Sequence, residues 1–304
     1  MLPHHDLTDD DGSLRPLLKW AGGKRWLVPH LRELWRGHER RRLVEPFCGG
    51  LAATLGLRPT LALLNDANPS LINFYRHASS GAEFHLPPIE SLAHYLEARR
   101  RFNELVLHQQ EGSPEAAALF FVLNKTCYNG LCRFNKAGVF NVPFGKRTHT
   151  SPLLDSARFR ELFQGWQFTV GDFEKLALQN DDFVYADPPY DVPFRHYSSG
   201  GFTWEDHLRL AEWLDGHKGP FVLSNQATPR VLRLYKRMRF RVRCYMAPRL
   251  ISCNGNRTRV VEVVATRNVD DAKGMLRRER RSPLVRVPSR SSSDCACSGK
   301  SRRM

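Results

Sequence analysis

FVYADPPY occupies residues 183–190 and joins a short apolar run to an acid, two prolines and a tyrosine. The run predicts a strand that is buried on both faces, because it contains no alternating polar positions. Asp187 follows this strand. The next residue, a proline, favours an extended conformation at Asp187, and both prolines have a fixed φ and no backbone donor. The sequence therefore predicts a rigid strand end that presents a carboxylate, the Pro188 carbonyl and the ring of Tyr190.

Three further apolar runs also end at polar residues: 43–47 (LVEPF), 61–66 (LALLND) and 221–225 (FVLSN). Segments with helical spacing of apolar residues lie between the runs, at 24–35, 68–77 and 203–214. Strands that alternate with helices predict a parallel sheet covered by helices. Two later segments, 239–246 and 259–266, alternate more and predict antiparallel strands at one edge. The predicted fold class is α/β, with a doubly wound sheet.

Residues 75–170 interrupt this alternation. They contain helical patterns at 91–107 and 114–123, then a loop rich in Gly, Asn and Pro, and no clear sheet strands. We therefore expect an inserted, mainly helical domain between two parts of a sheet domain, at 14–74 and 171–268. Residues 1–13 and 269–304 are expected to be disordered, because their composition is too polar to form a core.

The chain of 304 residues has a formal net charge of +15. Residues 273–304 contain ten Lys and Arg against two acids, a net of +8 that leaves +7 for residues 1–272. A basic surface favours a polyanionic partner such as nucleic acid. Charge alone is equally consistent with a surface that is merely soluble.

Composition also limits the class of protein. Apolar residues make up 41% of the chain, yet no run is long enough for a membrane span, and the N-terminus is polar. The seven cysteines are scattered and form no paired zinc-ligand pattern. We therefore predict a cytoplasmic protein with no membrane segment and no metal site.

Two glycine-containing segments are suited to a ligand: LKWAGGKR at 18–25 and VEPFCGGL at 44–51. Adjacent glycines let a backbone approach a ligand closely, and a helix N-terminus attracts anions. Neither segment matches a P-loop or GxGxxG, so we expect a different adenosine-containing cofactor. Asp66 ends the next predicted strand, where an acid can bind ribose hydroxyls. A simple helix N-cap is the alternative for Asp66.

Residues 124–146 read NKTCYNGLCRFNKAGVFNVPFGK and interleave aromatic residues with basic ones. The basic residues are Lys125, Arg133, Lys136 and Lys146. This combination is typical of a surface that contacts nucleic acid.

Five segments occur in a fixed order: LKWAGGK, EPFCGG, LLNDAN, YNGLCRFNKAGVFNVPFG and DPPY. In this order they resemble the Dam-type (D12 class) DNA adenine-N6 methyltransferases of bacteria and phages, over residues 14–268. SCNGNRTR at 252–259 is similar to a late segment of that family. One position departs, because the usual FxGxG is FCGGL here, with Leu51 at the last glycine. The resemblance implies a Rossmann-like S-adenosylmethionine-dependent methyltransferase sheet with a DNA target-recognition domain inserted at 75–170.

The resemblance also implies roles for individual residues. Asp187, Pro188 and Tyr190 would be catalytic: the carboxylate and the Pro188 carbonyl accept hydrogen bonds from adenine N6, and Tyr190 stacks on the flipped base. The residues expected to bind S-adenosyl-L-methionine are Trp20, Lys24, Phe47, Gly49, Gly50, Asp66 and Asp187. The residues expected to bind double-stranded DNA are Lys19, Tyr128, Leu131, Arg133, Asn135 and Pro143.

The resemblance at these DNA-contacting positions implies GATC as the target site. Lys19 and Arg133 suit guanine acceptors, and the apolar Leu131 and Pro143 suit a thymine methyl group. Tyr128 would intercalate.

Other functions stay open at this point. Cytosine-N4 methylation needs a related site around an exocyclic amine, and methylation of RNA or of a protein amide is a more distant alternative. A catalytically inactive DNA-binding protein is the alternative from another class. The resemblance implies a monomer. The basic tail would either attract phosphates without specificity or have no role.

Overall fold

The computed structural model describes residues 14–81, 84–135, 137–149, 153–154, 156–191, 201–248 and 260–269. The predicted disordered segments, apart from Val269, lie outside these ranges. So do the late segment at 252–259 and Lys136 of the predicted nucleic-acid loop.

The strands in the described part of the chain are β1 (Leu43–Glu45), β2 (Ala62–Asp66), β3 (Phe84–His85), β4 (Leu153–Leu154), β5 (Trp166–Val170), β6 (Phe183–Ala186), β7 (Phe221–Gln226), β8 (Arg241–Ala247) and β9 (Val260–Arg267). The helices there are α1 (Val28–Trp35), α2 (Ala52–Leu57), α3 (Pro69–Ser80), α4 (Leu92–Leu107), α5 (Pro114–Thr126), α6 (Ser156–Leu162), α7 (Trp204–Gly216) and α8 (Pro229–Arg237). Short 3-10 turns occur at Arg25–Leu27, Tyr128–Gly130 and Phe173–Lys175.

Seven of the described strands form one sheet, in the order β5-β2-β1-β6-β7-β9-β8. The five strands from β5 to β7 are parallel, and β9 is antiparallel to both β7 and β8. From β1 the chain moves outward to β2, and later returns to add β6 on the other side of β1. Such a reversal opens a crevice at the carboxyl ends of the parallel strands. The predicted α/β sheet, with antiparallel strands at one edge, is confirmed.

Helices cover both faces of the sheet. All four residues of β6 are buried, and alternate residues of a strand face opposite sides. Val184 faces the apolar cluster that α7 and α8 form with β7 and β9. Phe183 faces α1, where Trp35 meets it edge-on with 4.9 Å between ring centroids. Burial on both faces explains why these strands contain apolar runs.

Helices α4 and α5 lie in the predicted insertion and are confirmed. Most of α5 is buried, because α3 and α4 pack against it. Phe121 of α5 stacks on Phe74 of α3 with 5.4 Å between centroids, and Phe120 packs near Phe102 of α4. Each such ring contributes about 3–5 kcal/mol to the stability of a core. This packing joins the helical region to the edge of the sheet.

The prediction that residues 75–170 contain no sheet strand is wrong. β5 pairs with β2 along its whole length, from Ala62 opposite Trp166 to Asp66 opposite Val170. Because β5 is an edge strand, its side chains alternate between buried and more exposed, and its polar residues Gln167 and Thr169 break the apolar run. The chain therefore returns to the sheet at Trp166.

Helix starts follow the capping rules. Thr203 and Asp206 form a reciprocal capping box at the start of α7. Asn68 is the N-cap of α3, where its side chain accepts a hydrogen bond from the Leu71 amide at 3.1 Å. None of the helices in the described ranges combines the length and apolar character needed to cross a membrane.

Candidate active site

Asp187 lies directly after β6, and two side chains hold its carboxylate. Lys24 Nζ lies 3.0 Å from Oδ2, and Ser224 Oγ donates a hydrogen bond of 2.7 Å to Oδ1. Ser224 belongs to β7, the parallel neighbour of β6, so its position near the carboxyl end of that strand brings it to the same edge of the sheet. Tyr185 OH lies 3.2 Å from Ser224 Oγ. The acid is therefore oriented before any ligand binds.

Lys24 reaches this carboxylate from the glycine segment near the start of the chain. Gly22 has a φ of +82°, which favours glycine, and its carbonyl accepts a hydrogen bond of 2.6 Å from Lys24 Nζ. Only 5% of the Lys24 side chain is exposed. A buried ammonium group is costly unless it is paired, and Asp187 supplies the opposite charge.

Tyr190 lies beside the same pair. Its hydroxyl donates a hydrogen bond of 2.6 Å to Glu262 Oε2, and Lys24 Nζ lies 4.6 Å from the centroid of its ring. Burial, followed by the charges of Asp187 and Glu262, raises the pKa of Tyr190 well above its ordinary value. The phenol is therefore neutral at physiological pH. Pro188, which joins this group to Asp187, is buried.

The segment between β1 and α2 forms a tight loop around Trp20. A Cβ atom on Gly49 would lie 2.8 Å from Trp20 Nε1, and one on Gly50 would lie 2.8 Å from Trp20 Cβ. Both positions therefore require glycine. Phe47 completes the loop and packs edge-on against Phe202, with 5.4 Å between centroids.

Asp66 ties this loop to the end of β2. Its Oδ2 accepts a hydrogen bond from the Gly49 amide at 3.1 Å, and Oδ1 accepts one from the Asn68 amide at 2.9 Å. Burial raises the pKa of Asp66. The alternative interpretation of Asp66 as a helix N-cap is wrong, because Asn68 caps α3.

Leu51, at the position where the family has its last glycine, has a left-handed backbone with a φ of 60°. That conformation costs a residue with a side chain about 1–2 kcal/mol. The leucine side chain is almost completely buried, with 1% exposed. Its apolar burial offsets the backbone strain.

The structure adds three residues that the sequence did not identify: Ser224, Glu262 and Glu45. Glu45 ends β1 and is buried, and Thr54 Oγ1 donates a hydrogen bond to it. Burial raises the pKa of Glu45 to about 8, with a further contribution from the charge of Asp187. All three residues lie near the carboxyl ends of parallel strands or on the strand next to them. Ligands of open α/β sheets bind at the carboxyl ends of the parallel strands. A search for polar residues at the end of every predicted strand could therefore have found Ser224 and Glu45.

Lys19 is joined to the loop after α5 by several contacts. Its amide donates to Asn124 Oδ1 at 2.9 Å, Asn124 Nδ2 donates to its carbonyl at 2.8 Å, and Nζ donates to the Lys125 carbonyl at 2.6 Å. A Cβ atom on Gly130 would lie 2.3 Å from Lys19 Cβ. Two segments that are distant in sequence therefore form one surface.

This surface concentrates positive charge. Burial, together with the charge of Arg147, lowers the pKa of Lys19. Burial and the charge of Lys19 lower the pKa of Lys125 to about 8. Adjacent cations favour the binding of an anion, because an anion relieves their mutual repulsion.

The other predicted DNA-contacting residues belong to the same loop, at 124–146. Tyr128 is 49% exposed, and its amide donates to the Pro143 carbonyl at 2.9 Å. The Leu131 amide donates to the Tyr128 carbonyl at 3.2 Å. Arg133 Nε and Nη2 donate to the side chain and carbonyl of Asn141 at 2.8 and 3.2 Å, which directs the guanidinium group.

Asn135 also shapes the loop. Its side-chain oxygen accepts hydrogen bonds of 3.0 Å from the amides of Ala137 and Val139. The side-chain oxygen of Asn135 is therefore engaged within the turn. A contact between Asn135 and DNA stays a prediction.

Comparison with known proteins decides the family. The model of the D12 class N6 adenine-specific DNA methyltransferases matches residues 20–245, which is well over half of the chain. The chain belongs to this family. The resemblance predicted from five ordered segments is confirmed. Family membership weighs against the cytosine-N4, RNA and protein-amide alternatives.

Curated relatives of this chain come from phages and bacteria. The DNA N-6-adenine-methyltransferase of Escherichia phage P1 is 35% identical over 268 residues, which cover 80% of this chain and 34% of the relative. The type II methyltransferase M1.LlaDCHI of Lactococcus lactis is 35% identical, covering 74% of this chain and 85% of the relative. The DNA adenine methylase of Vibrio cholerae is 35% identical, covering 83% and 95%. The chain thus spans about a third of the phage protein and most of the two bacterial ones.

Among solved structures, one described as an RNA methyltransferase from Pyrococcus horikoshii aligns over 80% of this chain and 81% of that chain. The TM-score is 0.40 and the sequence identity is 9%. This likeness is too slight to bear on the function of the D12-class chain.

Proposed function

We propose that this protein transfers a methyl group from S-adenosyl-L-methionine to N6 of adenine in double-stranded DNA. The observation that carries the proposal is the arrangement around Asp187: its carboxylate is held by Lys24 at 3.0 Å and Ser224 at 2.7 Å, beside the ring of Tyr190. Family membership supports the same reaction.

The chemistry requires hydrogen-bond acceptors more than a strong base. The exocyclic amine of adenine is a poor nucleophile, because its lone pair is delocalised into the ring. The Asp187 carboxylate and the Pro188 carbonyl accept the two N6 hydrogens and favour a lone pair directed out of the ring plane. They also stabilise the positive charge that develops on nitrogen.

The strand end keeps these acceptors in place. The two prolines restrict the backbone after Asp187, while Lys24 and Ser224 fix its two carboxylate oxygens. Acceptors that are already oriented need little reorganisation during the reaction. Tyr190 supplies an aromatic surface for a base that has left the helix stack, since N6 is inaccessible within a base pair.

The residues near the carboxyl ends of β1 and β2 fit the cofactor. The glycine loop with Phe47 offers an apolar wall and accessible backbone, and Asp66 offers an acid at the end of β2 for ribose hydroxyls. Trp20 and Lys24 complete the proposed binding set together with Asp187. When bound, S-adenosyl-L-methionine supplies an activated methyl group on a sulfonium.

We propose that the helical region within residues 75–170, up to the start of β5, recognises DNA and that the target is GATC. The proposal is supported by the surface that unites Lys19 with the loop at 124–146. On this surface Tyr128 would intercalate, Lys19 and Arg133 would contact guanines, and Leu131 and Pro143 would contact a thymine methyl. We further propose a monomer that acts in the cytoplasm.

Methyl transfer from labelled S-adenosyl-L-methionine to unmethylated duplex DNA tests these proposals, when the modified bases are mapped afterwards. N6-methyladenine confined to GATC is the expected result. Methylated adenine at another sequence would keep the reaction and overturn the GATC assignment. Bound DNA without transfer would contradict the reaction and favour a binding protein.

A further inference from the structure

Glu262 is a buried carboxylate with apolar neighbours on both sides along β9, at 260–261 and 263–265. It lies on β9 opposite Gln226 of β7, and 6% of it is exposed. A buried charge requires a hydrogen-bond donor. Tyr190 supplies one, since its hydroxyl donates to Oε2 at 2.6 Å. That length is typical of a charge-assisted hydrogen bond.

We infer that Glu262 is a positioning residue for the proposed reaction: it holds the Tyr190 side chain in the place where the flipped adenine stacks on its ring. The inference rests on the proposed function, because it assigns Glu262 a role only through Tyr190.

Two contacts fix the ring from different directions. Glu262 anchors the phenolic oxygen at the far end of the side chain, and Lys24 Nζ lies 4.6 Å from the ring centroid. Lys24 is itself paired with Asp187 at 3.0 Å. Lys24 therefore contacts both the Tyr190 ring, on which the adenine stacks, and Asp187, which accepts an N6 hydrogen. Glu262 contacts the Tyr190 hydroxyl, at the end of the ring away from the backbone.

The protonation of Tyr190 suits this role. Its pKa is raised well above the ordinary value by burial and then by the two nearby carboxylates. The hydroxyl therefore keeps its proton and acts as the donor, while the Glu262 carboxylate acts as the acceptor.

Substitution of Glu262 separates positioning from stability. E262Q retains a carbonyl acceptor for the Tyr190 hydroxyl. E262L removes this acceptor and makes residues 260–265 a continuous apolar run. E262L leaves the Tyr190 hydroxyl without this acceptor, at a cost of about 1–3 kcal/mol, and the melting temperature of the variant shows that it still folds. E212Q, at an exposed position on α7, is the matched control for the change from Glu to Gln.

The experiment measures kcat and KM for DNA, together with the fluorescence of a duplex that carries 2-aminopurine at the adenine mapped by the transfer assay. E262L should lower kcat/KM by about tenfold or more, the factor typical of a hydrogen bond to a charged group, and should reduce the fluorescence change on binding. E262Q should retain most of both. In a Y190F background, E262L should add little further loss, because the hydroxyl is already absent.

Wild-type kinetics and fluorescence in E262L would overturn the inference while leaving the proposed function intact. So would equal losses from E262L in the wild type and in Y190F, because Glu262 would then act independently of the hydroxyl. A wild-type protein that transfers no methyl group would overturn the proposed function, and the inference with it.

Discussion

Ser224 on β7 donates a hydrogen bond of 2.7 Å to Asp187, which follows the neighbouring strand β6 and is 37 positions away in sequence. Ser224 is fully buried, so water does not readily replace its hydroxyl when that is removed. We expect S224A to lower kcat by about tenfold, the factor typical of a hydrogen bond to a charged group. Steady-state methyl transfer and the melting temperature of the variant check this.

Y185F provides a graded comparison. It removes the hydroxyl that lies 3.2 Å from Ser224 but leaves the bond to Asp187, so its loss of kcat should be smaller than that of S224A. A larger loss of kcat in Y185F than in S224A would contradict a direct role for Ser224.

Gly130 should be essential for the DNA-contacting surface. Its φ is +63°, and a Cβ atom would lie 2.3 Å from Lys19 Cβ. We therefore expect G130A to displace Lys19 and to weaken DNA binding, with little change in the affinity for S-adenosyl-L-methionine. Fluorescence anisotropy with duplex DNA and equilibrium dialysis with the labelled cofactor measure the two affinities.

G112A is the matched control, because a Cβ atom at Gly112 would meet nothing within 4 Å. Equal DNA affinity in G130A and G112A would argue against a role for Lys19 in binding.

The central strands were predictable because burial on both faces requires continuous apolar residues, as in β6 and β7. β5 was missed because an edge strand that is covered unevenly keeps polar residues such as Thr169. Asp187 and Lys24 were found from local segments that resemble a family. Glu262 was not, because its role depends on strand pairing that brings β9 beside β7, which no local pattern contains.

The stability of the protein should depend on Glu45 in a specific pH window. The pKa of Glu45 is about 8 in the folded protein, above an ordinary value of 4.5. Its favourable contribution is therefore fully present below pH about 4.5 and is lost as the pH rises to about 8, because the unfolded chain releases the proton earlier. E45Q keeps a neutral acceptor for Thr54 and should lose this dependence.

Urea unfolding across this pH range measures the effect. The unfolding free energy of E45Q relative to the wild type should increase with pH, by at most about 1.4 kcal/mol per pH unit. E212Q, which makes the same change at an exposed position, is the control. A constant difference between E45Q and the wild type would show that Glu45 is already ionised in the folded protein.

Arg133 should determine one base of the target. Asn141 accepts hydrogen bonds from Nε and Nη2 of Arg133, which directs the guanidinium group. If Arg133 binds guanine in a bidentate manner, R133A should cost about 1–3 kcal/mol and relax specificity at one position of the site. R133K should relax it too, because a lysine cannot form the paired contact.

Sequencing of methylated positions after reaction with a random duplex library measures both effects, and R100A, on the exposed side of α4, controls for loss of positive charge. If R133A and R133K both keep the wild-type specificity, Arg133 does not read that base, and the basis for the GATC assignment there is lost.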